Sequence, residues 1–174
     1  MNRIITIDNF LTEEECVQGI DIINTHDKEP FKDNPTGAAT SIHSTYSEQV
    51  MNGHSDKLIP IIKASYQWKP SLYLREGFWT TWLPDSGAAP HSDAHGPDLY
   101  DNLYSVVIYL NDLYDKGGEI YFPNQDIEIK PHKGMAVIFP CGGYEYFHGV
   151  RTLREGIRLT LALWFWDGTY DREF

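Results

Sequence analysis

Ala89-Pro90-His91-Ser92-Asp93 is the stretch whose side chains could do chemistry. In an extended strand, side chains two apart share a face. His91 and Asp93 can therefore aim at one atom while Ser92 turns away. A second imidazole, His148, lies much further along. Two imidazoles and a carboxylate hold one face of an octahedral ferrous ion and leave positions open for a co-substrate and O2. His91, Asp93 and His148 are the candidate metal ligands. Alone, a His-x-Asp pair carries little weight, because seven histidines make chance pairs easy. The elements that position it decide its meaning.

The chain opens with Ile4, Ile5 and Ile7, a short first strand. Thr12 followed by Glu15 is a capping box, and Val17, Ile20 and either Ile23 or Asn24 continue at helical spacing. A helix is expected from about residue 12 to 26. Residues 27–53 are polar and rich in turn formers, so a long irregular region is expected there, with His43 and His54 solvated. A second helix is expected at about 55–68, with Leu58, Ile61, Ile62 and Tyr66 on one face and Pro60 near its start, where proline is tolerated.

From Leu72 the pattern turns to short aromatic and β-branched strands separated by turns, with Gly77 breaking the first of them. Tyr104–Leu110, Gly117–Phe122, Met135–Phe139, Phe147–Val150 and Arg158–Trp166 follow. Such a series indicates a sandwich or barrel, with the two leading helices covering one sheet. A chain of 174 residues is expected to form one domain, with 1–70 as helical support and 71–174 as the core.

A net charge of −11 argues against nucleic acid as a substrate, since an acidic surface repels phosphate. Lysine and arginine gather only at Lys130–Lys133 and Arg151–Arg158. No apolar run reaches the length of a membrane span. The first residues lack the apolar core of a signal peptide, so a cytoplasmic location is expected. Cys16 and Cys141 lack metal-ligand spacing, and a reducing compartment would leave both as free thiols.

Alternation along the last strand is informative. Leu159, Leu161, Leu163 and Phe165 form an apolar face suited to packing on another layer. Arg158, Thr160, Ala162, Trp164 and Trp166 form the other, which fits a cavity wall. A guanidinium there suits a carboxylate, which it binds in a planar fork. Thr160 can add a hydroxyl, Ala162 leaves room and Trp164 closes the floor.

Taken together, these segments resemble the iron(II)/2-oxoglutarate oxygenases, in their prolyl 4-hydroxylase-like branch. The elements that carry the resemblance are Pro90-His91-Ser92-Asp93, Tyr109-Leu110-Asn111, Gly117–Pro123, Lys133–Pro140, His148-Gly149-Val150 and Gly156–Thr160, in family order. The opening Ile7–Cys16 is also similar. The resemblance implies a double-stranded β-helix, a jelly-roll or cupin-like barrel with the metal inside its open end. It implies Fe(II) on His91, Asp93 and His148. It also implies 2-oxoglutarate as co-substrate, its far carboxylate on Arg158 with Tyr109 and Thr160 as helpers. O2 is the second co-substrate, with ascorbate as reductant. Trp164 matches an aromatic lining the cavity near the metal.

Trp82 stands where many relatives have Tyr, and Arg158 where collagen-type prolyl hydroxylases have Lys. Related halogenases lack the carboxylate that Asp93 supplies, so its presence favours hydroxylation. The implied reaction oxidises a C–H bond with release of succinate and CO2. A peptidyl proline is the leading substrate, and a free amino acid or small metabolite the alternative. Trp79, Trp82, Tyr100 and Tyr104 are candidate substrate contacts, with selection falling to loops 30–53, 85–89 and 94–104. His95 is a rival ligand. A metal-binding jelly roll without turnover, holding zinc in the same ligands, is a reading of a different class.

Overall fold

The Glu15 amide donates to the Thr12 hydroxyl, and the Thr12 amide donates to the Glu15 carboxylate, so the expected capping box opens helix α1 (Glu13–Thr25). In the computed structural model, which describes residues 4–26, 29–30, 40–41, 45–94 and 102–169, strand β1 (Ile5–Ile7) precedes it. The two-residue strands β2 (Glu29–Pro30) and β3 (Thr40–Ser41) pair with each other. Helix α2 (Thr45–Tyr66) follows. Then come β4 (Tyr73–Trp82), β5 (Ala88–His91), β6 (Tyr104–Tyr109), β7 (Ile120–Phe122), β8 (Ile127–Ile129), β9 (Ala136–Pro140), β10 (His148–Val150) and β11 (Arg158–Trp166).

The strands form a major sheet in the order β1-β9-β6-β11-β4 and a minor sheet in the order β5-β10-β7-β8. Every pairing within them is antiparallel. Alternation along the major sheet sorts its side chains into two cores. Val106, Ile108, Ile138, Leu161, Leu163 and Phe165 point outward against Cys16, Ile22 and Ile23 of α1 and Leu58 and Ile62 of α2. Tyr109, Val137 and Phe139 point inward, against Ile120 and Phe122 of the minor sheet. The result is a jelly roll with helices on one outer face. Fully burying each such Leu or Ile contributes about 1.5–3 kcal/mol. Among the described residues, no helix is long and apolar enough to cross a membrane.

Two local expectations change. Helix α2 begins about ten residues earlier than expected, and Pro60 lies inside it. Met51 buries in the same core as Leu58 and Ile62, one stripe at helical spacing. Asn52, Gly53 and Pro60 sit on the exposed side, where weak local propensity yields to packing. Much of the irregular region expected over 27–53, with His43, lies outside the described residues. Gly77 does not break a strand either: β4 runs through it. A Cβ at Gly77 would come within 2.6 Å of Leu163 and 2.9 Å of the Met51 sulfur, so the glycine admits α2 to the sheet.

His54 is buried rather than solvated, at 3% exposure, and neither ring nitrogen has a hydrogen-bond partner among the described residues. Burial pushes its pKa down, against the opposing pull of the Glu15 carboxylate on α1; Lys57 on α2 adds to the depression. Above the ordinary histidine value of about 6.5, folded and unfolded chains both hold this ring neutral. Below it, the unfolded chain gains a proton that the buried ring resists, so stability falls as pH drops. His54→Leu should flatten the fall in melting temperature between about pH 6.5 and 5. Parallel curves for the two proteins would assign the acid sensitivity elsewhere.

Candidate active site

Strands β5 and β10 lie side by side in the minor sheet, with His91 and His148 directly opposed. Their ring centroids are 4.5 Å apart. Gly149 permits this approach: a Cβ there would lie 2.6 Å from the Ala88 carbonyl oxygen and 2.7 Å from the Tyr121 ring. Asp93 joins them from a bend, since β5 ends at His91. Strand alternation therefore does not bring the carboxylate in; the turn of the chain after His91 does. His91 Nε2 is 3.4 Å from Asp93 Oδ1, and His148 Nε2 is 3.5 Å from Asp93 Oδ2. One ligand atom from each residue lies within 4.8 Å of the others, a cluster that could hold a metal ion.

Each imidazole is oriented by a backbone carbonyl. His91 Nδ1 sits 2.9 Å from the Ala89 oxygen and His148 Nδ1 3.1 Å from the Tyr146 oxygen. A carbonyl only accepts, so Nδ1–H donates and Nε2 is left for a metal. Two imidazoles and a carboxylate suit a ferrous ion with open positions. His148 is buried against the Phe122 and Phe139 rings, whereas the His91 side chain is 47% exposed, so the site opens on the His91 side. Without metal, a hydrogen bond to Asp93 pushes His91 up, while burial pushes His148 down. Burial also pushes Asp93 up, but the His91 hydrogen bond, the His148 ring and the Ser105 hydroxyl outweigh it. Together they hold the carboxyl well below the usual range.

Asp93 is held from the major sheet. Ser105 Oγ donates to its Oδ2 at 2.7 Å and Trp164 Nε1 donates to the same oxygen at 3.0 Å. Ser105 on β6 and Trp164 on β11 are directly paired neighbours. The Asn102 amide donates to the Asp93 carbonyl, and the Ser92 hydroxyl to that of Cys141. Trp164, expected to close a floor, is placed as a donor to Asp93, and its ring packs edge-on to Phe78. Ser105 and Phe78 were not anticipated. Ser105 shares alternation with Tyr109, two steps of two along β6, and that signal could have found it.

Arg158 is 3% exposed. Its Nε donates to the Gly118 carbonyl at 3.2 Å, and one terminal nitrogen to Thr160 Oγ1 at 3.4 Å. The guanidinium carbon lies 5.1 Å from the ring centroids of both Trp82 and Tyr109. No carboxylate pairs with it among the described residues. The fully buried Tyr109 hydroxyl, beside the guanidinium, meets no partner with full hydrogen-bond geometry among the described residues. Burial pushes that phenol up, and the guanidinium opposes the shift. A buried cation without an anion costs several kcal/mol, so the pocket fits a carboxylate ligand. Thr160 also bonds the Thr80 hydroxyl, which steadies the guanidinium from below.

Asn111 sets where Arg158 begins its strand. Its amide donates to the Ile157 carbonyl at 2.8 Å, and its side-chain oxygen accepts from the Leu159 amide at 2.9 Å. Asn111→Ala removes both bonds at a net cost of about 1–3 kcal/mol. The expected result is a lower melting temperature and weaker 2-oxoglutarate binding at unchanged metal affinity. Calorimetric titration checks this, and unchanged affinity for both ligands would contradict it.

Two proposed substrate contacts lie elsewhere. Tyr104 packs against Tyr66 and Trp68, at centroid distances of 4.7 and 5.9 Å, on the helix side of the sheet. Ser105 and Tyr109 face the interior, so alternation sends Tyr104 outward. Trp79 is fully buried in the same outer core. Tyr100 and His95 lie outside the described residues.

The sequence model of the 2OG-Fe(II) oxygenase superfamily matches residues 78–166, which include His91, Asp93, His148 and Arg158. Mouse prolyl 3-hydroxylase 2 is 42% identical over 67 residues, 36% of this chain and 9% of that much longer protein. The fold is similar to the viral collagen prolyl hydroxylase of Paramecium bursaria Chlorella virus-1, solved with 2OG. The TM-score is 0.76 at 19% identity, covering 93% of this chain and 94% of that one. It is also similar to a Trichoplax adhaerens prolyl hydroxylase solved with a hypoxia inducible factor peptide, at TM-score 0.74, 18% identity, and 96% and 84% coverage. With the family match spanning half the chain and enclosing the whole cluster, this chain belongs to the 2OG-Fe(II) oxygenase superfamily.

Proposed function

We propose that the chain is an Fe(II)- and 2-oxoglutarate-dependent dioxygenase that hydroxylates a prolyl residue in a peptide or protein. The observation that carries this reading is a buried guanidinium with no carboxylate partner among the described residues, on the same sheet face that holds Asp93 through Trp164. His91 Nε2, His148 Nε2 and one Asp93 oxygen would hold the metal. Arg158 and the Tyr109 hydroxyl would receive the far carboxylate of 2-oxoglutarate, and Thr160 fixes the guanidinium. Bound together, Fe(II) and 2-oxoglutarate activate O2, so that succinate and CO2 leave and one oxygen atom enters a C–H bond. Trp82 closes the deep end beside Arg158, and Phe78 and Trp164 wall the approach to Asp93. These rings exclude water from the reacting centre.

The prolyl substrate is supported by the 42% identity to a prolyl 3-hydroxylase over 67 residues. Both cysteines are free and buried, in keeping with a reducing, cytoplasmic setting. The test incubates the protein with Fe(II), 2-oxoglutarate and ascorbate, the last to keep iron ferrous. Succinate is measured first, then the gain of one oxygen on proline-containing peptides against free amino acids. Oxygen on the peptides alone is the expected result. Oxygen on free amino acids alone would move the substrate to small metabolites. No succinate at all, with zinc retained on purification, would make the chain a metal-binding module.

A further inference from the structure

We propose that Glu76 selects a peptide carrying a lysine or arginine beside the proline that is hydroxylated. The inference rests on the prolyl-peptide reading above and deepens it by naming a feature of the substrate. Strand β4 pairs with β11 residue by residue until Glu76 faces Trp164, and the next partners are Leu74 and Phe165. Arg75 is the extra residue of a β-bulge, a device that re-aims side chains beside active sites. Residues directly opposed across an antiparallel pair share a face, with Cβ atoms about 4.5–5.5 Å apart. Trp164 points inward, since its indole donates to Asp93 Oδ2 at 3.0 Å. Glu76 therefore lies on the inner face, one strand over from a group that touches a candidate metal ligand.

The two bulge residues are used differently. Arg75 donates to Asn102 Oδ1 at 3.0 Å, and the Asn102 amide donates to the Asp93 backbone oxygen at 3.1 Å. Glu76 is half-buried. The ion pairs that lysine and arginine make among the described residues go to Glu13, Glu15, Asp115 and Glu128 instead. A half-buried carboxylate without a cation favours a ligand that brings one, because the attraction is screened less there than at an open surface.

The neighbours of Glu76 on this face suit the rest of such a ligand. Phe78 opposes the small Ala162, and its ring meets Trp164 edge-on at 5.5 Å. That apolar wall fits a pyrrolidine ring and the aliphatic stem of a long basic side chain, whose charged end then reaches Glu76. The same carboxylate repels an acidic neighbour of the proline, which gives discrimination as well as affinity.

The test binds peptides to the wild type, Glu76→Gln and Glu76→Lys, each loaded with Mn(II) and 2-oxoglutarate so that no turnover intervenes. The peptides differ only in arginine, alanine or glutamate beside the proline. The wild type should bind the arginine peptide about tenfold or more tightly than the glutamate peptide, a preference that shrinks at high salt. Glu76→Gln should level the series and Glu76→Lys invert it. With Fe(II), the same preference should sit in KM rather than kcat. Affinity for 2-oxoglutarate, measured by calorimetry, should match the wild type in both variants, which separates a lost contact from a damaged fold. No preference in the wild type, a preference for glutamate, or one preference shared by all three proteins would overturn the proposal. A wild type that hydroxylates free amino acids and no peptide would instead remove the reading beneath it, and the proposal with it.

Discussion

Arg158→Met should weaken 2-oxoglutarate binding by about two to three orders of magnitude while leaving metal affinity unchanged. Removing one side of a buried, hydrogen-bonded charge pair costs about 3–5 kcal/mol, and each 1.4 kcal/mol is about tenfold. Methionine keeps much of the apolar stem between Trp82 and Tyr109, so the change isolates the charge. Stability supplies a second signature. Without ligand, the wild type carries a guanidinium at 3% exposure with no carboxylate partner among the described residues, so the variant should melt no lower, and removing that charge can raise the midpoint. Adding 2-oxoglutarate should raise the wild-type midpoint by mass action, by about 2.7 kcal/mol of stability at a hundred times Kd. The variant should not respond. Arg158→Lys retains charge but not the planar fork and should fall between the two. An Arg158→Met protein that binds the keto acid normally would show that its carboxylate goes elsewhere.

Asp93→Ala should abolish turnover and lower metal affinity by more than the roughly 10–100-fold seen for outer-shell changes. It removes the carboxylate of the cluster and strands two donors, Ser105 and Trp164, that converge on it. The two histidines should then separate by a different measure. His148 packs on Phe122 and Phe139 at 5% exposure, so His148→Ala should lose metal and also about 2–4 kcal/mol of stability by opening a cavity. His91 has a half-exposed side chain, so His91→Ala should lose metal with little change in the metal-free melting temperature. Metal titration and apo-protein melts, run on the same samples, check both. Equal destabilisation by the two would contradict the burial difference.

Much of the site was legible because its logic is local. A His-x-Asp pair, an isolated later histidine and a strand with Arg158 on its polar side can each be read from short stretches. The capping box at Thr12 and Glu15 is equally local, and both of its bonds form. Errors arose where distant packing overrules local preference. Asn52 and Gly53 favour a turn, yet Met51 draws that segment into α2. His54 is polar, yet its helix face packs inward. Tyr104 has the type expected of a cavity residue, but its place on β6 turns it toward the helices.

Residue types and order in the chain thus determined the candidate ligands through their donor set, and the side of the last strand that carries Arg158 and the barrel class through strand alternation, because both are properties of short segments. Only the tertiary structure decided which face of each strand looks inward and which partners meet across it. Asp93 lies 71 residues from Trp164 and 12 from Ser105 in the chain. Their meeting follows from the register of β6 against β11 and the bend after His91. Register is set by the summed burial of both cores rather than by any one segment.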